Sequence, residues 1–251
     1  MSADALITAL NLPASARVDQ RVPKKLLLEH GAPTAADRRL INEGIEAILW
    51  LATLKPATCG IPEFRDETRE YLEIAVLRMT LRDTAKQVRL VELLHRAVPY
   101  PVLLIVETGA DTLFSLAHKR RALNEAEKFV LEDEPVSVRL APEDTDLCTH
   151  FLQAVDLARQ PQASLRVLYQ GWMDTALALH AARLTGTFVL YDSAERSRQR
   201  REALHASLAL QEQIANLHRA ATKASQLVRQ VELNLEIKRL RAELSAARAL
   251  L

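Results

Sequence analysis

The chain has 251 residues, of which 49% are hydrophobic and 26% charged, enough for one large domain or two small ones. A formal net charge of +1 excludes a global pull toward nucleic acid or membrane, so any such partner has to be recruited by a local patch. Two cysteines, Cys59 and Cys148, exclude a disulfide framework and fit a reducing compartment, and with 4% aromatics the core must be filled by Leu, Ala, Val and Ile.

The first residues, MSADALITALNLP, lack the basic region and apolar run of a secretory leader, and residues 3–11 suit a short helix. No stretch reaches about 18 uninterrupted apolar residues. A cytoplasmic location is the expectation. Arg17 to Glu29, broken by Pro23, is ambiguous. Thr34 stands three residues before Asp37, a capping-box-like start. Ile41, Ile45, Ile48 and Ala52 then fall on one helical face, which predicts a helix from Ala35 to Leu54, ended by Lys55-Pro56. Residues 57–70 read as loop.

Tyr71 to Leu81 suits a buried strand, and Thr84 to Val98 a helix with Val88, Val91, Leu94 and Val98 inward. Val102–Val106 and Thr112–Ala117 read as a hairpin around Thr108–Asp111. Phe129–Leu131 and Val136–Leu140 read as a second hairpin around Glu132–Pro135. After Pro142 the pattern is helical: one helix to about Arg159, a second from Gln162 to Leu184 interrupted by Gly171, and a short extended segment Thr187–Tyr191. The fold class is therefore α+β. Residues 1–141 form a small α+β domain, 142–191 a helical hairpin or connector, and 192–251 a long C-terminal helix of coiled-coil or bundle type.

That last segment has neither glycine nor proline, so one or two long helices are expected. Leu210, Ile214, Leu217, Val228, Val231 and Leu235 recur at steps of 3, 4 and their sums, a seam for a partner protein or a second copy. A second register, Leu233, Ile237, Leu240, Leu244, Ala247 and Leu251, is out of phase with it, which predicts a bend or change of partner near residue 233.

Within residues 192–251, 11 Lys and Arg stand against 7 Asp and Glu, with Arg196, Arg198, Arg200 and Arg201 grouped at the start. A second basic run, His118-Lys119-Arg120-Arg121, follows a predicted strand. Contact with a DNA backbone is the functional reading of Lys119, Arg120, Arg121, Arg196, Arg198, Arg200 and Arg201, against the plainer one of a solvated face.

Signals for chemistry are sparse. Asp66, Glu73 and Glu107 are positioned like the carboxylates of a PD-(D/E)xK nuclease, but none is followed by x-Lys, so a degenerate metal-dependent nuclease is the weaker alternative, beside a sequence-independent DNA binder. Cys148-x-His150 supplies two of the four ligands a zinc site needs. His95 falls on the inward side of its helix and reads as a packing residue. Trp50 and Trp172 fall in predicted helices as core or interface anchors. No phosphate loop or nucleophile elbow is present, and no catalytic residue, metal or cofactor is expected.

Four segments taken in order, PTAADRRLINEGIEAILWLATLKPAT, REYLEIAVLRMTLR, LLHRAVPYPVLLIVE followed by LFSLAHKRR, and VRQVELNLEIKRLRAEL, resemble the bacterial domain-of-unknown-function family DUF4391 over residues 20 to 250. The resemblance implies no activity and no functional residues. It implies an association with helicases and DNA methyltransferases in restriction-like or anti-phage defence gene clusters. The expectation is a non-enzymatic adaptor with a helicase, nuclease or DNA methyltransferase as partner, or a homo-oligomer.

Overall fold

Gly44 separates two elements that the spacing of isoleucines joins into one. The computed structural model describes residues 2–122, 129–191, 193–224 and 226–251. In it, helix α3 runs Ala35–Gly44, and the chain leaves it directly as strand β2, Ile45–Leu54. The helix expected over Ala35–Leu54 is thus half strand, and Trp50 lies on that strand. The reason lies in two bulges, at Glu46 and Leu51, where β2 has an extra residue against its neighbour. Each bulge offsets the alternation of faces, so that Ile45, Ile48, Leu51, Ala52 and Leu54 are buried at steps of three and less that imitate a helical stripe.

The chain divides into two compact units, Met1–Ala176 and Leu177–Leu251. In the first unit, helix α1 (Ala3–Ala9), capped by Ser2, leads to strand β1 (Arg17–Arg21) and helix α2 (Lys24–Gly31). Thr34 caps α3 by accepting from the Asp37 N–H at 3.1 Å, as its position predicts. A short helix α4 (Pro56–Cys59) and a small ribbon, β3 (Phe64–Arg65) with β4 (Glu70–Tyr71), occupy the predicted loop. Strand β5 (Ile74–Leu81), helix α5 (Gln87–Ala97) and strand β6 (Val102–Thr108) form a parallel crossover. A two-residue turn with Gly109 at φ 56° then opens β7 (Asp111–Leu116).

Strands β8 (Lys119–Arg121) and β9 (Phe129–Leu131) pair with each other, and β10 (Val136–Leu140) pairs with β7. The second predicted hairpin is therefore two strands with different partners: β10 brings buried Val138 opposite Phe114, and three-residue β9 is left to β8. The main sheet has the order β1-β2-β5-β6-β7-β10, antiparallel except between β5 and β6.

Alternation along the central strands sends Ala75, Leu77, Met79 and Leu81 of β5 and Val102, Leu104 and Val106 of β6 against Leu27, Ile41, Leu90 and Leu94 of α2, α3 and α5. Val88, expected inward, is 86% exposed. The opposite face receives helix α6 (Thr145–Ala154), whose Phe151 meets Phe114 edge-on at 5.5 Å, and the start of helix α7 (Leu165–Thr185). Gly171 does not interrupt α7; it lets Pro161 and Gln160 lie where a Cβ would be, at 2.6 and 2.7 Å.

The second unit holds the end of α7 and two helices, α8 (Ala194–Lys223) and α9 (Leu227–Arg248), folded as a hairpin. Thr187–Tyr191 adopts no strand. α8 ends at Lys223 and α9 begins at Leu227, before the predicted bend near 233, and the Ala224 carbonyl beyond α8 accepts from Gln230 Nε2 at 2.6 Å. Among the described residues no helix is long and apolar enough to cross a membrane.

Candidate functional site

The C-terminal hairpin uses both hydrophobic registers of its sequence, on different faces. Leu210, Ile214 and Leu217 of α8 pack against Ile237, Leu240 and Leu244 of α9 within the same chain. The first half of the predicted partner seam is thus occupied internally. The second half is not: Val228, Val231 and Leu235 are 71%, 51% and 63% exposed, while Leu233, Ile237 and Leu240 on the same helix are buried. Residues 228, 231 and 235 follow steps of three and four, so they form one stripe on the outer side of α9.

The basic clusters are less uniform than their sequence suggests. Arg196 and Arg198 are exposed, and Arg198 is paired with Glu195 at 2.8 Å. Arg200 is buried: its guanidinium lies 4.7 Å from the Tyr191 ring centroid and donates to the Val189 carbonyl at 2.5 Å. It anchors the entry to α8 and is not a surface cation. Arg201 is half-buried.

Lys119 is also removed from the surface. It is 2% exposed, and Nζ donates to the carbonyls of His95 and Val98 at the end of α5, where the helix leaves acceptors unpaired. Arg120 and Arg121 are half-buried, and Arg121 pairs with Glu70. Burial brings the Lys119 ammonium down to about 7. The folded state then binds fewer protons than the unfolded chain between that value and 10.5, so stability rises with pH through this window. We expect a gain on the order of 2 kcal/mol from pH 7 to 9, read by urea unfolding and absent in Lys119→Met.

A polar cluster that no sequence spacing announces joins the two small ribbons to α7. The Tyr71 hydroxyl hydrogen-bonds with His118 Nδ1, His118 Nε2 lies 2.9 Å from Gln170 Oε1, and Gln170 Nε2 donates to Asp174 at 3.0 Å. With Gln170 Oε1 as an acceptor, His118 Nε2 carries a proton. Tyr169 donates to the Val102 carbonyl at 2.7 Å while accepting from the Ala117 N–H at 2.8 Å, and burial pushes both tyrosine hydroxyls well above their ordinary range. Arg69 holds Glu132 through two nitrogens, and Arg166 lies 5.1 Å over the Phe64 ring. The partners come from residues 64–71, 118, 132 and 166–174, too far apart for a local motif. Their geometry ties β4, β8 and α7 together.

The carboxylates weighed as nuclease ligands are engaged separately. Asp66 accepts the N–H groups of Thr68 and Arg69 at 2.8 and 2.7 Å, and these bonds, the one from Thr68 foremost, hold its carboxyl below its usual range. Glu107 takes Arg78 at 2.6 and 3.1 Å, and Glu73 borders a shallow hollow with Tyr100. Cys148 is buried while His150, two residues on and so turned to the other side of α6, is exposed. Among the described residues no three His, Cys, Asp or Glu side chains are grouped as metal ligands.

Of the anchors read from sequence, Trp172 is fully buried and donates to the Val155 carbonyl at 2.8 Å; Trp50 is half-buried against Tyr100 and donates to Thr53 Oγ1 at 2.9 Å. His95 is wholly buried, with Nε2 3.0 Å from Ser115 Oγ.

No curated protein and no solved structure matches the chain. The family model described as Domain of unknown function (DUF4391) matches residues 10–244, a span that includes the sheet, the Tyr71–His118 cluster and nearly all of the hairpin. The chain therefore belongs to the DUF4391 family of domains of unknown function.

Proposed function

We propose that this protein is a non-enzymatic, cytoplasmic accessory subunit of a bacterial assembly that acts on DNA, of the anti-phage defence or restriction-modification type, and that it binds its partner protein through the outer face of α9. The observation that supports this reading is the exposed stripe of Val228, Val231 and Leu235 on a helix whose other face is already packed. Three β-branched or leucine side chains at helical spacing have a burial value of about 1.5–3 kcal/mol each when covered. A solvent-facing helix without a partner has no use for them. The helical face fits a groove or a second helix on the partner.

The test is affinity purification of the full chain from its native host, with co-eluting proteins identified by mass spectrometry. Stoichiometric recovery of a helicase, nuclease or DNA methyltransferase is expected, and the triple change Val228→Asp, Val231→Asp, Leu235→Asp should lower it at least tenfold without altering the thermal unfolding curve, since all three positions are exposed. Equal recovery with the triple variant would remove α9 as the binding surface.

A further inference from the structure

A cleft of about 570 Å³ lies in the first unit between α5 and the segment that joins β9 to β10. Its apolar part is formed by Val91 of α5, Leu113 of β7, Leu131 of β9 and Pro135, and Val88 stands exposed at its edge. Among the described residues four carboxylates border it, Glu92, Glu132, Asp133 and Glu134, against one guanidinium, Arg96.

The carboxylates are not equivalent. Glu132 is held by Arg69, and Glu92 by Arg89 and Arg96. Asp133 and Glu134 are exposed and make no hydrogen bond or ion pair among the described residues. The negative charge still open to a ligand is thus concentrated on one wall, beside an apolar floor. Val88 adds a second signal. The amphipathic pattern of α5 buries Leu90, Val91, Leu93 and Leu94, and a valine at 86% exposure on the same helix has no role in that core.

We infer that this cleft is a docking site for a basic amphipathic segment of a partner protein, in which an apolar side chain enters over Val88 and Val91 while flanking Lys or Arg side chains meet Asp133 and Glu134. Charge complementarity selects this occupant: an acidic segment or a nucleic-acid backbone meets like charge, which costs affinity. The apolar floor separates it from a bare cation, which has no use for Val88, Leu113 and Leu131. The surface is independent of α9, and the inference does not rest on the function proposed above.

Fluorescence anisotropy of the full chain with three labelled synthetic peptides tests it: an amphipathic Leu/Lys peptide, its Leu/Glu counterpart and a Lys/Gln peptide without apolar residues. The Leu/Lys peptide should bind at least about tenfold more tightly than either other. The pair Asp133→Lys and Glu134→Lys, and separately Val88→Asn, should each weaken it by about tenfold. Glu212→Lys, an exposed reversal in the second unit, and the α9 triple variant should leave it unchanged. No preference among the peptides would overturn the inference. So would equal weakening by Glu212→Lys, which would report a general field, or loss of binding in the α9 variant alone, which would place the peptide on the other surface.

Discussion

Trp172→Ala should destabilise the first unit by about 4 kcal/mol, because a fully buried indole leaves a cavity that its neighbours fill only in part. The indole also satisfies the Val155 carbonyl at the end of α6, and that acceptor would be stranded in the interior. For a protein of this size the loss corresponds to a fall in melting temperature of about 10 °C. Trp172→Phe separates the two contributions. It retains most of the ring volume but not the N–H, and should cost about 2 kcal/mol. Thermal melts followed by circular dichroism measure both. A drop under about 1 kcal/mol for the alanine variant would mean that α6 and α7 are not packed as described.

Acidification should produce a second large loss, centred on His95. The ring is wholly buried on α5, Nε2 is 3.0 Å from Ser115 Oγ, and Nδ1 has no hydrogen-bond partner among the described residues. Burial, reinforced by the nearby Lys119 charge, pushes the imidazole down to about 3 from 6.5. The unfolded chain therefore takes up a proton between these values that the folded chain refuses. The contribution is complete above pH 6.5 and is lost as pH falls toward 3, reaching on the order of 4 kcal/mol. Urea unfolding at a series of pH values should show a rising limb across this window, and His95→Gln, which has no titrating ring, should flatten it. The Asp37 carboxyl acts in a lower window. Hydrogen bonds from Arg89, then Thr34, hold it at about 2, so its share is lost only below about 3.8. A limb that survives unchanged in His95→Gln would show that the ring titrates in solvent.

The sheet and its crossover were legible because β5, β6 and β7 carry long β-branched or apolar runs bounded by Pro99-Tyr100-Pro101 and Gly109. β2 was not, for a specific reason: two bulges rephase its alternation into helix-like steps, and only the partner strand reveals them. The β9–β10 connection was misread because proximity in sequence suggested pairing, whereas the partners are β8 and β7. The hydrophobic registers of the tail were both visible, but which one faces inward depends on α8 ending at Lys223 and α9 starting at Leu227, ends that neither Gly nor Pro marks in the sequence. Charge was the least readable signal. Lys119 and Arg200 look like members of surface clusters, and both are interior donors to backbone carbonyls. The Tyr71–His118 cluster left no trace, since its members are dispersed over about a hundred residues of chain.

The folding of α8 back on α9 also governs how the protein can be dissected. A chain cut before Leu227 would leave Leu210, Ile214 and Leu217 uncovered, a fresh sticky ridge on an otherwise polar helix. Such a fragment would collect chaperones and copies of itself, and lost or gained binding would say nothing of what the intact chain binds. Deletion mapping is the wrong tool for this tail; side-chain replacement on the outer face of an intact hairpin is the right one.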